Sequence, residues 1–470
     1  MRFILDYSAA NSGMWSLIIT LGRLALALGS SLILRAKIPA IRRMMMPTAV
    51  LAGFILLFFK EVHLIELNTD ILEMLVYHTI AMGFIAMSLR KALRPKGDDG
   101  KRTGQLTGLK SGAIIVGTYL VQAFVGLVIS MTLASFMPRV FQASGLLLPM
   151  GFGQGPGQAN NIGSTYESMG FVGGRSYGLA IAAAGYLCAC TVGVLILHRW
   201  SRNPLPSTYR KSEYLPAESG VSMFQSPDEI PVSDSIDRFS VQFILVLGVY
   251  LLTYLVTFGL TSLITAISPG LGNTVNTLLW GFNFIIGSAL AMLVGKVLDK
   301  LHDLGVSKRQ YRNNYLLNRL SGLFFDLMIT AGIASISIQD ISGLWIPFIL
   351  SVVLGAVCTW VFLKWASRHA YPDYQREGLI SMYGMLTGTI GSGILLLREI
   401  DPGLDTPAAN NLIIGSSYGI VLGAPMLIFV SLAARSTVMC LITFAMIIVY
   451  WCALSLIIRR PEGGKKRHRK

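Results

Sequence analysis

The sequence predicts an all-α polytopic membrane protein of about 11 transmembrane helices in two inverted-topology repeats of five, each repeat carrying a re-entrant glycine-rich hairpin. Three observations lead there. The chain is 53% hydrophobic and only 13% charged over 470 residues, too little charge to cover a water-exposed surface of that size. Apolar runs recur at the length that crosses about 30 Å of hydrocarbon as helix. The segments between them alternate between rich in Lys and Arg and nearly bare, as the positive-inside rule requires.

Apolar stretches occur at 14–34, 40–59, 71–90, 111–137, 176–198, 241–266, 274–298, 316–338, 343–366, 408–430 and 436–458. The first has no basic region or small-residue cleavage site before it and reads as a retained span. Arg35 to Arg43, Arg90 to Lys110, His198 to Lys211, Lys296 to Arg319 and Lys364 to Arg376 all fall on one side if every span crosses once, while 267–273 and 339–342 hold no Lys or Arg and 431–435 holds only Arg435. The expectation is a multi-pass protein of a bacterial cytoplasmic (inner) membrane, N-terminus outside and C-terminus inside. The net charge of +15 is explained by these loops and the basic tail Arg459–Lys470, so it gives no ground for a nucleic-acid partner. The five cysteines lie in apolar segments, which points to buried thiols and away from a disulfide framework or zinc site.

Two glycine-rich apolar segments, 139–157 and 377–398, fit the charge alternation only if each enters and leaves on one side. Non-helical backbone at membrane depth is tolerated where protein or a wet cavity surrounds it; a traversing broken helix is the alternative. Residues 14–198 then form the first inverted repeat and 241–430 the second, joined by a polar, proline-rich cytoplasmic linker at 199–240, with an extra span and basic tail at 431–470. The repeat is echoed in Ala159-Asn160-Asn161 and Ala409-Asn410-Asn411, each following a hairpin. Opposed interrupted helices are how secondary transporters build a midplane site.

In the first hairpin, Gly153, Gln154, Gly155 and Gly157 let backbone approach a ligand closely, or simply pack a tight tip. The G-x-G spacing lacks the strand a dinucleotide site needs. In the second, Thr387, Thr389 and Ser392 offer hydroxyls to substrate or sodium, or to their own helix ends. The amides of Asn160, Asn161, Asn410 and Asn411 need partners in hydrocarbon, whether backbone, ion or substrate. Asp326, within an apolar run, either helps hold a cation or pairs with Arg23 or Arg398. Arg398 and Arg175 are candidate partners for an anionic substrate or markers of helix ends, and Glu73 and Glu167 read as external boundary residues. No paired carboxylates, Ser–His set or metal-ligand cluster suggests an enzyme, and no cofactor is expected.

Lys37-Ile38-Pro39 followed by Met46–Gly53, the hairpin Gly151–Asn161, and Gly384–Arg398 followed by Asp401-Pro402 together resemble the bacterial sodium/glutamate symporter family over most of residues 14–430. The resemblance implies Na⁺-coupled uptake of glutamate by a homodimer, with an elevator-like core domain and with substrate and sodium held near the hairpins at Gly151–Asn161 and Thr387–Gly393. Taken with the residue reading, the candidate substrate residues are Gly153, Gln154, Gly155, Gly157, Asn160, Asn161, Thr387, Thr389 and Arg398, and the candidate sodium ligands are Ser392, Asn410, Asn411 and Asp326. Gly153-Gln154-Gly155 departs from the glycine–histidine–glycine run of the better-known members, so another dicarboxylate or anionic amino acid remains open as substrate. A proton-coupled or uncoupled carrier of another organic anion, and an ion channel, are the other readings.

Overall fold

The computed structural model describes residues 11–39, 41, 46–90, 98–201, 232–267, 279–281, 283–306, 311–401 and 406–460. Most of the 199–240 linker, residues 268–273 and the basic tail from 461 on lie outside the described residues. The described chain is helical: α1 Ser12–Lys37, α2 Thr48–Glu61, α3 Thr69–Ser88, α4 Asp98–Ala134, a 3-10 turn Gln142–Leu146, α5 Leu147–Phe152, α6 Pro156–Ser168, α7 Gly174–Ser201, α8 Val232–Ile267, α9 Asn283–Asp303, α10 Asn314–Ala334, α11 Trp345–Ala370, α12 Gln375–Thr387, α13 Ile390–Arg398, α14 Ala408–Ala433 and α15 Thr437–Arg459. Helix is the only open-chain form that satisfies every backbone N–H and C=O without water.

Among the described residues nine helices are long and apolar enough to span a membrane: α1, α3, α4, α7, α8, α10, α11, α14 and α15. One of the eleven expected spans differs. The second is the 14-residue α2, about 21 Å at 1.5 Å per residue and short of the hydrocarbon thickness. Part of the seventh, 274–298, lies outside the described residues; its described portion includes α9, which carries Lys296, Asp299, Lys300 and Asp303 toward its C-terminal end. The outward faces are apolar, with Leu26 76% and Leu251 61% exposed, a surface that lipid accepts and water does not.

The chain divides into two compact units that cut across the two sequence halves: Met1–Gly29, Ala52–Leu93 and Glu213–Ser335 in unit 1, and Ser30–Leu51, Arg94–Ser212 and Ile336–Lys470 in unit 2. In unit 1, Ile85, Leu89, Val246, Ala291, Leu317 and Phe324 pack α3, α8, α9 and α10 into one core. Ser321 donates to the Gly83 carbonyl at 3.0 Å, joining α10 to α3. Arg312 closes one end, pairing with Asp299 and donating to the Leu89 carbonyl at 2.9 Å. The helix starts are capped, Asn68 accepting from the Ile71 N–H at 3.1 Å and Asn313 from that of Leu316 at 2.9 Å, each cap contributing about 1 kcal/mol.

In unit 2, α4 is the central helix. Side-chain size sets how closely its neighbours approach: a Cβ on Gly112 would lie 2.6 Å from Cβ of Tyr418, and one on Gly415 would lie 2.7 Å from Cβ of Ser111. Backbones of α4 and α14 therefore meet almost directly, the small-residue packing used where helices gain nothing from excluding water. Farther along, a Cβ on Gly126 would overlap the Gly145 carbonyl, and Ser130 donates to the Gln142 carbonyl at 2.6 Å. These contacts lay the 3-10 turn along α4.

Candidate functional site

Both glycine-rich segments of unit 2 are helix pairs broken in the middle. In the first, α5 stops at Phe152 and α6 starts at Pro156. The break is forced by Gly155, with φ 86° and ψ −176°, a conformation essentially closed to residues with a Cβ. Pro156 follows at the first helical position, where a missing N–H costs nothing. The arms fold back on α7, since Cβ atoms on Gly151 and Gly178 would come within 2.8 Å of the Ala182 nitrogen and the Ala159 carbonyl oxygen respectively. The first pair thus runs to Ser168, farther than the sequence suggested. Its second arm, Pro-Gly-Gln-Ala-Asn-Asn, is polar yet buried, and hydropathy misses it because its surroundings are protein.

In the second pair, α12 ends at Thr387, and α13 begins after Gly388 and Thr389. A Cβ on Gly384 would lie 2.8 Å from Leu396 and 2.9 Å from Gly393, so these arms also fold back. Thr387 donates to the Tyr383 carbonyl at 2.8 Å, and Thr389 accepts from the Ser392 N–H at 3.4 Å as an N-cap. Both hydroxyls thus serve their own helices while keeping free acceptor capacity.

The two breaks meet on α7. A Cβ on Gly185 would overlap the Thr387 carbonyl oxygen and come within 2.9 Å of the Phe152 ring. At the next residue, Tyr186, the ring lies 3.2 Å from a Cβ on Gly388 and the hydroxyl 3.7 Å from one on Gly155. From α4, Tyr119 donates to the Gly153 carbonyl at 3.2 Å. One turn on, Gln122 Nε2 donates to the Leu386 carbonyl at 3.0 Å and to Thr359 Oγ1 at 2.9 Å. Around this junction, buried polar atoms lack a hydrogen-bond partner among the described residues: both ends of the Gln158 amide, Asn160 Oδ1, Gln122 Oε1 and Ser392 Oγ. Native interiors leave few such atoms, so those on the broken pairs and on α4 beside them are candidate contacts for water, ion or substrate.

The expected site residues separate accordingly. Gly153, Gly155, Gly157, Asn160, Asn161, Thr387 and Ser392 are buried in the two pairs, with Gln154 and Thr389 half-buried at the breaks. Asn411 instead donates to the Tyr374 hydroxyl at 2.7 Å, at the base of α12 and about 20 Å along the helix from its break, and Asn410 beside it is exposed. The two Ala-Asn-Asn copies therefore stand in different elements, one inside the first broken pair and the other in the span after the second. Arg398 is exposed at the far end of α13 from the break, where a cation suits the helix C-terminus. Asp326 is exposed on α10 of unit 1. Arg23, one of its expected partners, donates to the Glu66 carbonyl.

Arg175 is held by Glu167 through both its backbone N–H and its Nε. Burial raises the Glu167 carboxyl above its ordinary range, opposed by the Arg175 N–H and reinforced by Asp340. Among the described residues no three His, Cys, Asp or Glu side chains gather as a metal site. The oxygens at the breaks are amide, hydroxyl and carbonyl. Gln122, Tyr119 and Tyr186 were not visible as candidates in the sequence, and Gln158 stood out only as part of the glycine-rich run Gly151–Gln158. The spacing of Gly174, Gly178, Ala182 and Gly185 on one face of α7 was the available signal for where both pairs dock. No family model and no curated protein matches the chain.

Proposed function

We propose that the chain is a sodium-coupled symporter of L-glutamate or a closely related anionic amino acid, working by alternating access as a homodimer in a bacterial cytoplasmic membrane. One observation carries this reading: two broken helix pairs meet at Gly185 and Tyr186 with buried amide and hydroxyl groups left for an outside partner. A break presents helix ends of both signs. The N-termini of α6 and α13 offer N–H groups to a carboxylate, and the C-terminus of α12 offers carbonyls to a cation. An anion leaving water needs its charge balanced. The groups at the breaks ligate sodium readily but take up no proton near neutral pH, which favours sodium over proton coupling. Unit 2 holds both breaks and is the candidate moving body. The resemblance of Gly151–Asn161 and Gly384–Arg398 to the sodium/glutamate symporter family supplies the substrate.

Initial uptake of radiolabelled L-glutamate into proteoliposomes tests the proposal, comparing inward Na⁺, K⁺ and proton gradients. Saturable uptake is expected only with sodium, competed by aspartate and other dicarboxylates more than by neutral amino acids. Uptake driven equally by a proton gradient would replace the sodium reading, and its absence in correctly inserted protein under every gradient would remove glutamate.

A further inference from the structure

We propose that the side-chain oxygen of Gln122 is a ligand for a small monovalent cation, sodium by its chemistry, bound where α4 meets the end of α12. Its role in coupling rests on the symport reading, whereas its test does not. Gln122 is fully buried. Its amide orientation is decided by its neighbours: the Leu386 carbonyl can only accept, so the nitrogen faces it at 3.0 Å, with its second hydrogen directed to Thr359 Oγ1 at 2.9 Å. Both donors are then used. Oε1 is left buried with no partner among the described residues.

The setting favours positive charge at that oxygen. Leu386 is the penultimate residue of the 13-residue α12, and the last four carbonyls of a helix lack intrahelical partners and form its negative end. Neutral oxygens from amides, hydroxyls and unwound helix ends make a hard-cation site suited to sodium. Tyr119 shares this face of α4 and holds the Gly153 carbonyl at 3.2 Å. A cation at Gln122 therefore sits on the helix that anchors both breaks, where its binding would brace them together.

The full-length chain, purified in detergent without any amino acid, is heated while NaCl replaces choline chloride at constant ionic strength, with KCl as a parallel series. Sodium is expected to raise the midpoint saturably and potassium to do so weakly, as linkage requires of a ligand bound only by the folded state. In Gln122→Ala the half-saturating sodium concentration rises at least about tenfold, whereas Thr359→Val, which removes one partner of the nitrogen and leaves Oε1 in place, shifts it by less than Gln122→Ala does. The near-isosteric Gln122→Met stands in if the alanine variant does not fold. A wild-type chain stabilised equally by sodium, potassium and choline salts overturns the site, as does a Gln122 variant with the wild-type sodium response. Loss of glutamate uptake alongside an intact, Gln122-dependent sodium response would remove the substrate reading and leave the cation site standing.

Discussion

Gln158 is 1% exposed, and neither its oxygen nor its nitrogen is paired among the described residues. Leaving a buried polar group unpaired costs about 1–3 kcal/mol, so such a side chain weakens the fold unless something else binds it. Gln158→Leu is therefore expected to leave the thermal midpoint of the solubilised protein unchanged or higher, while sodium-driven uptake falls by about tenfold or more, the size of one lost buried hydrogen-bonding pair. Full uptake in that variant would take Gln158 out of the site. The sequence marks this residue only as part of the glycine-rich run Gly151–Gln158, because nothing local says which of its polar groups is left unpaired. The reverse applies to Asn410, Asn411 and Arg398, polar residues next to a glycine-rich stretch that tertiary structure places at helix bases and ends.

The broken helices themselves were legible, since glycine and proline in an apolar run signal interruption without any knowledge of neighbours. The extent of the arms was not legible. Hydropathy records contact with lipid, and α6 touches protein. Gly155 is the clearest element-scale test, because its φ of 86° and ψ of −176° cost a residue with a Cβ about 1–3 kcal/mol. Gly155→Ala is expected to lower the unfolding midpoint and to reduce uptake further than stability alone explains, as α6 re-aims Gln158. Unchanged uptake with a lowered midpoint would make the break purely structural. On α7, Gly174, Gly178, Ala182 and Gly185 form the surface on which both pairs lie, a role the spacing hints at without naming the partner.

For the whole molecule, the outward apolar surface and nine membrane-length helices make insertion in a bilayer a direct consequence of composition. Orientation is the global prediction: Arg35 and Lys37 end α1, His198 and Arg199 lie in the last turns of α7, and Arg459 ends α15, so the positive-inside rule puts all three ends in the cytoplasm. A C-terminal fluorescent fusion should be bright and a C-terminal alkaline phosphatase fusion inactive; the opposite pattern would invert the topology. By itself the sequence determined the class, most of the spans and the two interruptions. All of these depend on local composition against a solvent of known thickness and polarity. Only the tertiary structure decided that the compact units cut across the sequence halves, that the two breaks share Gly185 and Tyr186, and which buried amides remain unpaired. Those facts depend on distances between residues remote in the chain: Gln122 and Leu386 are 264 positions apart and joined by one hydrogen bond.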